Sequence, residues 1–293
     1  MADLTPPPRL DQHRVLLVND DGIDAPGIKL LEELVREIAP DVWVVAPDEE
    51  RSGSSHSISL TVPVRIRRVD DRHFAIKGTP TDCALLAIWE LMKDAPPTVL
   101  ISGINRGANL AEDITYSGTA APAMEGAILG VRSIALSQVF TLGGEPHWDT
   151  SRRFAPPILR ELLQCHWDAG TFVNVNFPDV PPDQVSAVRI TTQGQRPPGS
   201  FRPERRIDGR HIPYYWIRLA YRDGDIEAGT DLEAMRDKAV SITPMQMDLT
   251  AHSFKRSLDQ LFHQARLIPA ADRPALSPAA PSADRPSALD RHR

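Results

Sequence analysis

Short uninterrupted apolar runs recur along the chain, and several of them end abruptly in polar loops. Val15-Leu16-Leu17-Val18 closes on Asn19-Asp20-Asp21-Gly22. Val42-Trp43-Val44-Val45-Ala46 closes on the stretch from Pro47 to His56, and Thr98 to Ser102 on Gly103 through Asn109. Runs of this length, rich in β-branched residues, suit strands covered on both faces, as in a parallel sheet. Between the first two runs, Ala25-Pro26-Gly27 opens a helix with proline in its first turn. Ile28, Leu31, Leu34, Val35 and Ile38 then repeat at helical spacing up to Pro40. Strand, helix, strand with short links is the βαβ unit.

The pattern continues in the same vein. Leu60 to Arg68 and His73 to Ile76 alternate about an Asp70-Asp71 turn and predict a hairpin. Helices are predicted over Cys83 to Met92, Ala120 to Leu129 and Arg152 to Leu163, and strands over Ser133 to Ser137 and Phe172 to Asn176. Beyond Asp179 prolines multiply, with strand-like runs at Val188 to Thr191 and Pro213 to Leu219. Residues 190–230 read as an excursion away from the sheet, an extended hairpin. Ala239 to Thr243 predicts a further strand and Phe254 to Leu267 a final helix. Residues 1–13, with Pro6-Pro7-Pro8, form a flexible lead. Residues 268–293 are too poor in large apolar side chains to fold. The folded domain is therefore expected over 14–267.

Ligands of open α/β sheets bind beyond the carboxyl ends of the strands, where the three polar loops would meet. Adjacent carboxylates repel, so Asp20 and Asp21 are either fully solvated, as in an Asx turn capping the next helix, or share a cation. The second loop offers Ser52 and the third Asn105. Two carboxylates, a hydroxyl and an amide carbonyl make an all-oxygen set of the kind Mg²⁺ and Mn²⁺ prefer. Ser117-Gly118-Thr119 precedes a helix and reads either as an anion cradle or as a plain N-cap. Gly78-Thr79-Pro80-Thr81 reads as a turn plus cap. Arg51, Arg106 and His56 share the loops: an arginine could neutralise a phosphate, while His56 could be an acid, a substrate contact or a surface residue. Gly103 to Gly107 fits neither a P-loop nor a dinucleotide fingerprint, which speaks against a dinucleotide-dependent oxidoreductase. Phosphatases with an aspartyl-phosphate intermediate use carboxylates two apart after the first strand. Here they are adjacent and position 22 is glycine, which favours a metal-activated water over a covalent aspartate.

Composition narrows the partners. The 293 residues carry 41% hydrophobic and 25% charged side chains and a net charge of −6, ordinary globular values. No global basic field recruits a nucleic-acid polymer or an anionic membrane, so an anionic substrate needs a local device. Two cysteines exclude a disulfide scaffold and a four-cysteine zinc site. Without a long apolar stretch or a signal-peptide core, a cytoplasmic location is expected.

Taken together, the motifs resemble the SurE (survival protein E) phosphatase family. The matching runs are Leu17 to Gly22 with Ala25-Pro26-Gly27, Val44 to Asp48 through Arg51-Ser52-Gly53, and Gly78 to Cys83. Ser102 to Gly107 with Asn109, Tyr116 to Thr119 through Met124-Glu125-Gly126, Gly229-Thr230-Asp231 and Ser241 to Pro244 complete them. The resemblance covers residues 14 to 265. Two departures are Ala120, where valine is frequent, and the proline-rich ends.

The resemblance implies a Rossmann-like α/β fold, a mostly parallel sheet flanked by helices. It also implies a protruding β-hairpin and a C-terminal exchange segment (231–267) shared within a homodimer or homotetramer. It implies one Mg²⁺ or Mn²⁺ per subunit on Asp20, Asp21, Ser52 and Asn105. The expected activity is that of a 5′-nucleotidase, hydrolysing nucleoside 5′-monophosphates, with 3′-monophosphates and short polyphosphate as further candidates. Asp20 and Asp21 are the expected catalytic residues, and Asn19, Asn109, Ser117, Gly118 and Thr119 the expected phosphate contacts. The alternatives are a covalent-aspartate phosphatase and a non-catalytic nucleotide-binding or assembly protein with a structural cation.

Overall fold

A computed structural model describes residues 12–141, 143–197, 201–219 and 226–264. The proposed lead up to Asp11 and the tail from 268 lie outside the described residues. In chain order the elements are β1 (Arg14–Val18), α1 (Pro26–Arg36), β2 (Asp41–Pro47), β3 (Arg65–Arg68), β4 (His73–Lys77), α2 (Pro80–Leu86) and β5 (Val99–Arg106). There follow α3 (Ala120–Ile128), β6 (Arg132–Gln138), α4 (Trp148–Gln164), β7 (Thr171–Phe177), β8 (Val188–Ile190) and the hairpin strands β9 (Phe201–Ile207) and β10 (Pro213–Leu219). The last are α5 (Asp231–Arg236), β11 (Val240–Gln246) and α6 (His252–Gln264).

Nine strands form one sheet in the order β3-β4-β2-β1-β5-β6-β7-β11-β8, while β9 and β10 pair separately. β1 is central and runs parallel to β2 and β5, and β5–β6, β6–β7 and β2–β4 are parallel too. Only the edge strand β3 is antiparallel to its neighbour within this part of the sheet. The architecture is the Rossmann-like α/β sheet expected, with the predicted hairpin realised as β9–β10 over seven antiparallel pairs.

The alternation along β1 builds two cores. Val15 and Leu17 join α1 and α4 on one face, with Leu31, Leu34, Ile158 and Leu159. Leu16 and Val18 join α2 on the other, with Cys83, Ala84 and Ile88. The buried residues of α3 are mostly alanine and glycine, with Pro122 and Glu125 among them. A Cβ at Gly126 would overlap Ser133 Oγ on β6, so glycine there permits the close approach of helix and sheet.

Several boundaries differ from the expected ones. The alternating run from Leu60 is a strand only over Arg65–Arg68; Leu60 and Val62 are exposed in an irregular segment. α2 begins three residues before Cys83 because Thr79 caps it: its hydroxyl accepts from the Asp82 N–H, and Asp82 accepts from the Thr79 N–H. A π-turn over Ala87–Leu91 ends that helix. α4 starts at Trp148 and runs through Pro156 and Pro157, its buried face overriding the lost donors. α5 and the 3₁₀ turn Ala111–Thr115 had no counterpart in the periodicity. The chain divides into two compact units, residues 1–245 and 246–293. The second contains α6, on which Phe254, Leu258 and Leu261 share one helical face.

Candidate active site

Asp20 and Asp21 follow β1 directly, at the carboxyl edge of the sheet. The loop is closed by Asn19, whose Nδ2 donates to the Gly22 carbonyl at 2.8 Å. Asn19 is fully buried and its Oδ1 has no hydrogen-bond partner among the described residues. Asp20 is 5% exposed. Its Oδ1 accepts from the Thr119 hydroxyl at 2.6 Å, and a Cβ on Gly118 would lie 2.6 Å from its Oδ2. The start of α3 is thus pressed onto the carboxylate, and glycine at 118 makes that approach possible. Burial pushes the Asp20 carboxyl up to about 7; the Thr119 hydrogen bond pulls the other way, and Asp21 adds like-charge repulsion.

Asp21 is also raised, first by burial, with the Arg106 N–H pulling it down. That N–H donates to Asp21 Oδ2 at 3.2 Å and brings the third loop against the first. The second loop arrives through Arg51, whose N–H donates to the Asp20 carbonyl at 2.7 Å. The immediate neighbours of Asn105 and Ser52 therefore touch the acidic loop. Asn105 owes its place to a bulge: β5 spends three steps from Ser102 to Asn105 while β6 spends two from Ala135 to Ser137. Its Nδ2 donates to the Gly107 carbonyl at 3.0 Å, which leaves Oδ1 as the available donor atom toward a cation. Ser52 is exposed, and its hydroxyl donates to Glu50 Oε1 at 2.8 Å.

The proposed phosphate residues are distributed differently. Ser117 Oγ accepts from the N–H groups of Thr119 and Ala120 at 3.1 and 2.8 Å, so it caps α3. The Gly118 N–H has no acceptor among the described residues. Asn109 lies in a buried amide network: its N–H donates to Asn176 Oδ1 at 2.9 Å and its Nδ2 to Ser137 Oγ at 2.8 Å. Asn174 and Asn176 both donate to its carbonyl. Of the three basic loop residues, Arg51 pairs with Glu49 at 2.6 Å, and Arg106 lies 4.6 Å over the Phe140 ring. His56 Nε2 meets buried Glu125 Oε2 at 2.9 Å and ties the Ser52 loop to α3.

The donor set fits a hard cation. A buried carboxylate, Asp20, and a half-buried one, Asp21, stand without an ion-pair partner among the described residues, and an orphaned amide oxygen lies in the same loop. Low dielectric makes such a pair costly unless a positive charge is supplied. No group of three His, Cys, Asp or Glu side chains able to hold a metal occurs among the described residues, so the remaining donors are serine and amide oxygens. Sequence reasoning gave no weight to Glu50, Asp113 or Arg196, and named Glu125 and Asp231 only within matching runs, without a role. Each acts through a contact that no local motif encodes.

A mostly parallel sheet with an acidic loop and a helix N-terminus meeting at its carboxyl edge defines a Rossmann-like α/β protein with its candidate site at that edge. The model of the family described as Survival protein SurE matches residues 15–199. The chain belongs to the SurE family. It is 47% identical over 248 residues to the 5′-nucleotidase SurE of Parvibaculum lavamentivorans, covering 84% of this chain and 90% of that protein. It is 49% identical over 250 residues to the 5′-nucleotidase SurE of Rhodopseudomonas palustris strain TIE-1, covering 84% and 98%. The crystal structure of the SurE protein from Aquifex aeolicus superposes with a TM-score of 0.74 at 36% identity, covering 85% of this chain and 99% of that one.

Proposed function

We propose that this protein is a 5′-nucleotidase that hydrolyses nucleoside 5′-monophosphates with one Mg²⁺ or Mn²⁺ bound by Asp20, Asp21, Ser52 and Asn105. The observation that carries the reading is the pair of adjacent carboxylates, uncompensated by any ion pair among the described residues, Asp20 buried and pressed against the start of α3 and Asp21 half-buried beside it. The names of the relatives support the same reaction class. A cation bound there supplies charge for the phosphoryl oxygens and lowers the pKa of a water suited to in-line attack.

The chain's own residues do the rest. Thr119 orients the Asp20 carboxylate and the Arg106 N–H orients that of Asp21. Ser52 would hold the cation through the hydroxyl that meets Glu50 at 2.8 Å. The Gly118 N–H and the α3 dipole meet the phosphate oxygens, with Ser117 and Thr119 shaping that end and Asn109 alongside. Asp20 and Asp21 are also the groups able to take the proton of the attacking water. Asn19, fully buried and bound to Gly22, serves by closing the loop.

A phosphate-release screen over nucleoside mono-phosphates with each metal tests the reading. Release dependent on Mg²⁺ or Mn²⁺ is expected, and nucleotide binding without release would select the binding-protein alternative. Trapping a phosphoenzyme on either aspartate would select the covalent one. We further propose self-association through the hairpin and the C-terminal segment. The exposed Tyr215, Trp216 and Ile217 on β10, and Phe254 and Leu261 on α6, support it. Light scattering should give a dimer or tetramer, and a monomer at micromolar concentration would refute this part.

A further inference from the structure

The chain leaves for the β9–β10 hairpin after residues 192–196 and returns through 229–231. The two ends of that root meet at an isolated bridge between Thr192 and Thr230. The Asp231 N–H donates to the Thr192 carbonyl at 2.9 Å, and the Gly194 N–H to Asp231 Oδ1 at 2.9 Å. From this root, side chains reach a segment far away in sequence, residues 110–113, which lies between Asn109 and Ser117. Gln193 Nε2 donates to the Ala111 carbonyl at 2.9 Å. The Ala111 N–H donates to Asp231 Oδ2 at 2.8 Å. Arg196 donates from Nη1 to the Leu110 carbonyl at 2.9 Å and from Nη2 to Asp113 Oδ2 at 2.8 Å. Its own N–H donates to the Glu112 carboxylate at 3.0 Å. The Arg196 and Asp113 side chains are 8% and 11% exposed, so this is an interior ion pair.

Ala111 has φ +52°. That left-handed conformation is unfavourable for a residue with a Cβ and persists only where the surroundings over-determine it. Here both of its backbone groups are gripped by the hairpin root. The 3₁₀ turn that follows is a stiff connector: the Tyr116 N–H bonds to the Asp113 carbonyl, and the Ser117 N–H to that of Ile114. Asn109, upstream, is anchored separately by Asn174, Asn176 and Ser137. Relaxation at Ala111 therefore displaces the downstream end, Ser117 to Thr119.

We infer that Gln193, Arg196 and Asp231 are positioning residues that set the affinity of the site for phosphate by holding Ala111 and the turn leading to Ser117–Thr119. The inference rests on the nucleotidase reading and deepens it. None of these contacts falls on Asp20, Asp21, Ser52 or Asn105; the Thr119 bond to Asp20 is the link between the two ends of the site, so the larger effect should fall on phosphate and the smaller on the metal.

The test compares wild type with Arg196→Met, Gln193→Leu and Arg196→Lys. Mn²⁺ binding is measured calorimetrically without nucleotide, inorganic phosphate is titrated into the Mn²⁺-loaded protein, and kcat and KM are taken for a nucleoside 5′-monophosphate. Misplacing a contact by a fraction of an ångström costs roughly tenfold or more, so the phosphate Kd and KM should rise by about that factor in Arg196→Met and less in Gln193→Leu. The Mn²⁺ Kd should rise by a clearly smaller factor than the phosphate Kd, and Arg196→Lys, which keeps the charge opposite Asp113, should recover part of the loss. A merely structural role lowers the folded fraction while leaving both constants alone. Unchanged phosphate affinity in folded variants, or metal affinity falling in step, overturns the inference. If Arg196→Met fails to fold, Gln193→Leu, which removes one hydrogen bond, decides. Wild type that neither binds phosphate nor releases it refutes the nucleotidase reading itself; wild-type binding with unaltered variants refutes the inference alone.

Discussion

Among single residues Asp20 matters most, a carboxylate that the fold buries and crowds. Its ordinary value is 3.8 and burial holds it at about 7 in the absence of a cation. A carboxyl raised on folding contributes stability that is full below 3.8 and is lost as pH rises through about 7. Asp20→Asn should therefore raise the urea midpoint of the metal-free protein above pH 7 while removing Mn²⁺ affinity. A midpoint that falls instead would mean the carboxylate is not under strain. Gly118→Ala places a Cβ 2.6 Å from Asp20 Oδ2. Overpacking of this kind costs about 1–3 kcal/mol, and the displaced carboxylate should weaken metal binding as well, read by denaturation and calorimetry. The residues with a local cause were legible in the sequence: Asp20, Asp21, Asn105 and the cap at Ser117–Thr119 all follow apolar runs or precede a helix. Ser52 was legible only by its place after the second run, and its partner Glu50 was not.

At the scale of elements, α1 and β4 are joined by a polar latch. His73 Nε2 meets Glu32 at 3.0 Å and its Nδ1 meets Asp70 at 2.8 Å. Burial pulls the His73 imidazolium down, but the hydrogen bonds to Glu32 and Asp70 outweigh it and hold it above 6.5. Burial likewise pushes Glu32 up, and the bonds from His73 and Arg36 outweigh it and hold it below 4.5. The His73 contribution is full below 6.5 and lost as pH rises through its folded value, while that of Glu32 is full above 4.5 and lost as pH falls through its own. His73→Gln should thus destabilise the protein more near pH 5.5 than near pH 9, measured by urea unfolding; equal losses at both would refute the latch. The order of strands and helices was legible because each βαβ unit carries its own periodicity. The clamp of Gln193, Arg196 and Asp231 on residues 110–113 was not, because its partners stand 82 to 120 positions apart. Its one conformational mark, the left-handed Ala111, sits on a residue with no preference for that region.

At the scale of the whole molecule, the sheet brings three loops to one edge, and the two faces of β1 supply the cores that hold them there. Everything chemical follows from that convergence: an acidic loop after the central strand, a bulged neighbour that aims Asn105, and a helix N-terminus closing over Asp20. No helix among the described residues is long and apolar enough to cross a membrane. A bound cation should stabilise this edge, so adding Mn²⁺ to chelated protein should raise its melting temperature in wild type and leave Asp20→Asn unmoved. The central claim is that hydrolysis runs through a cation held by Asp20 and Asp21. The most direct measurement is phosphate release from a nucleoside 5′-monophosphate by wild type and Asp20→Asn, before chelation, after exhaustive chelation and after metal is restored. Activity should vanish on chelation and return with Mn²⁺ or Mg²⁺. In Asp20→Asn it should be lower by about 10³-fold or more, since a cation's charge is worth several kcal/mol to the transition state. Full turnover in the chelated protein, or in Asp20→Asn, would contradict the account.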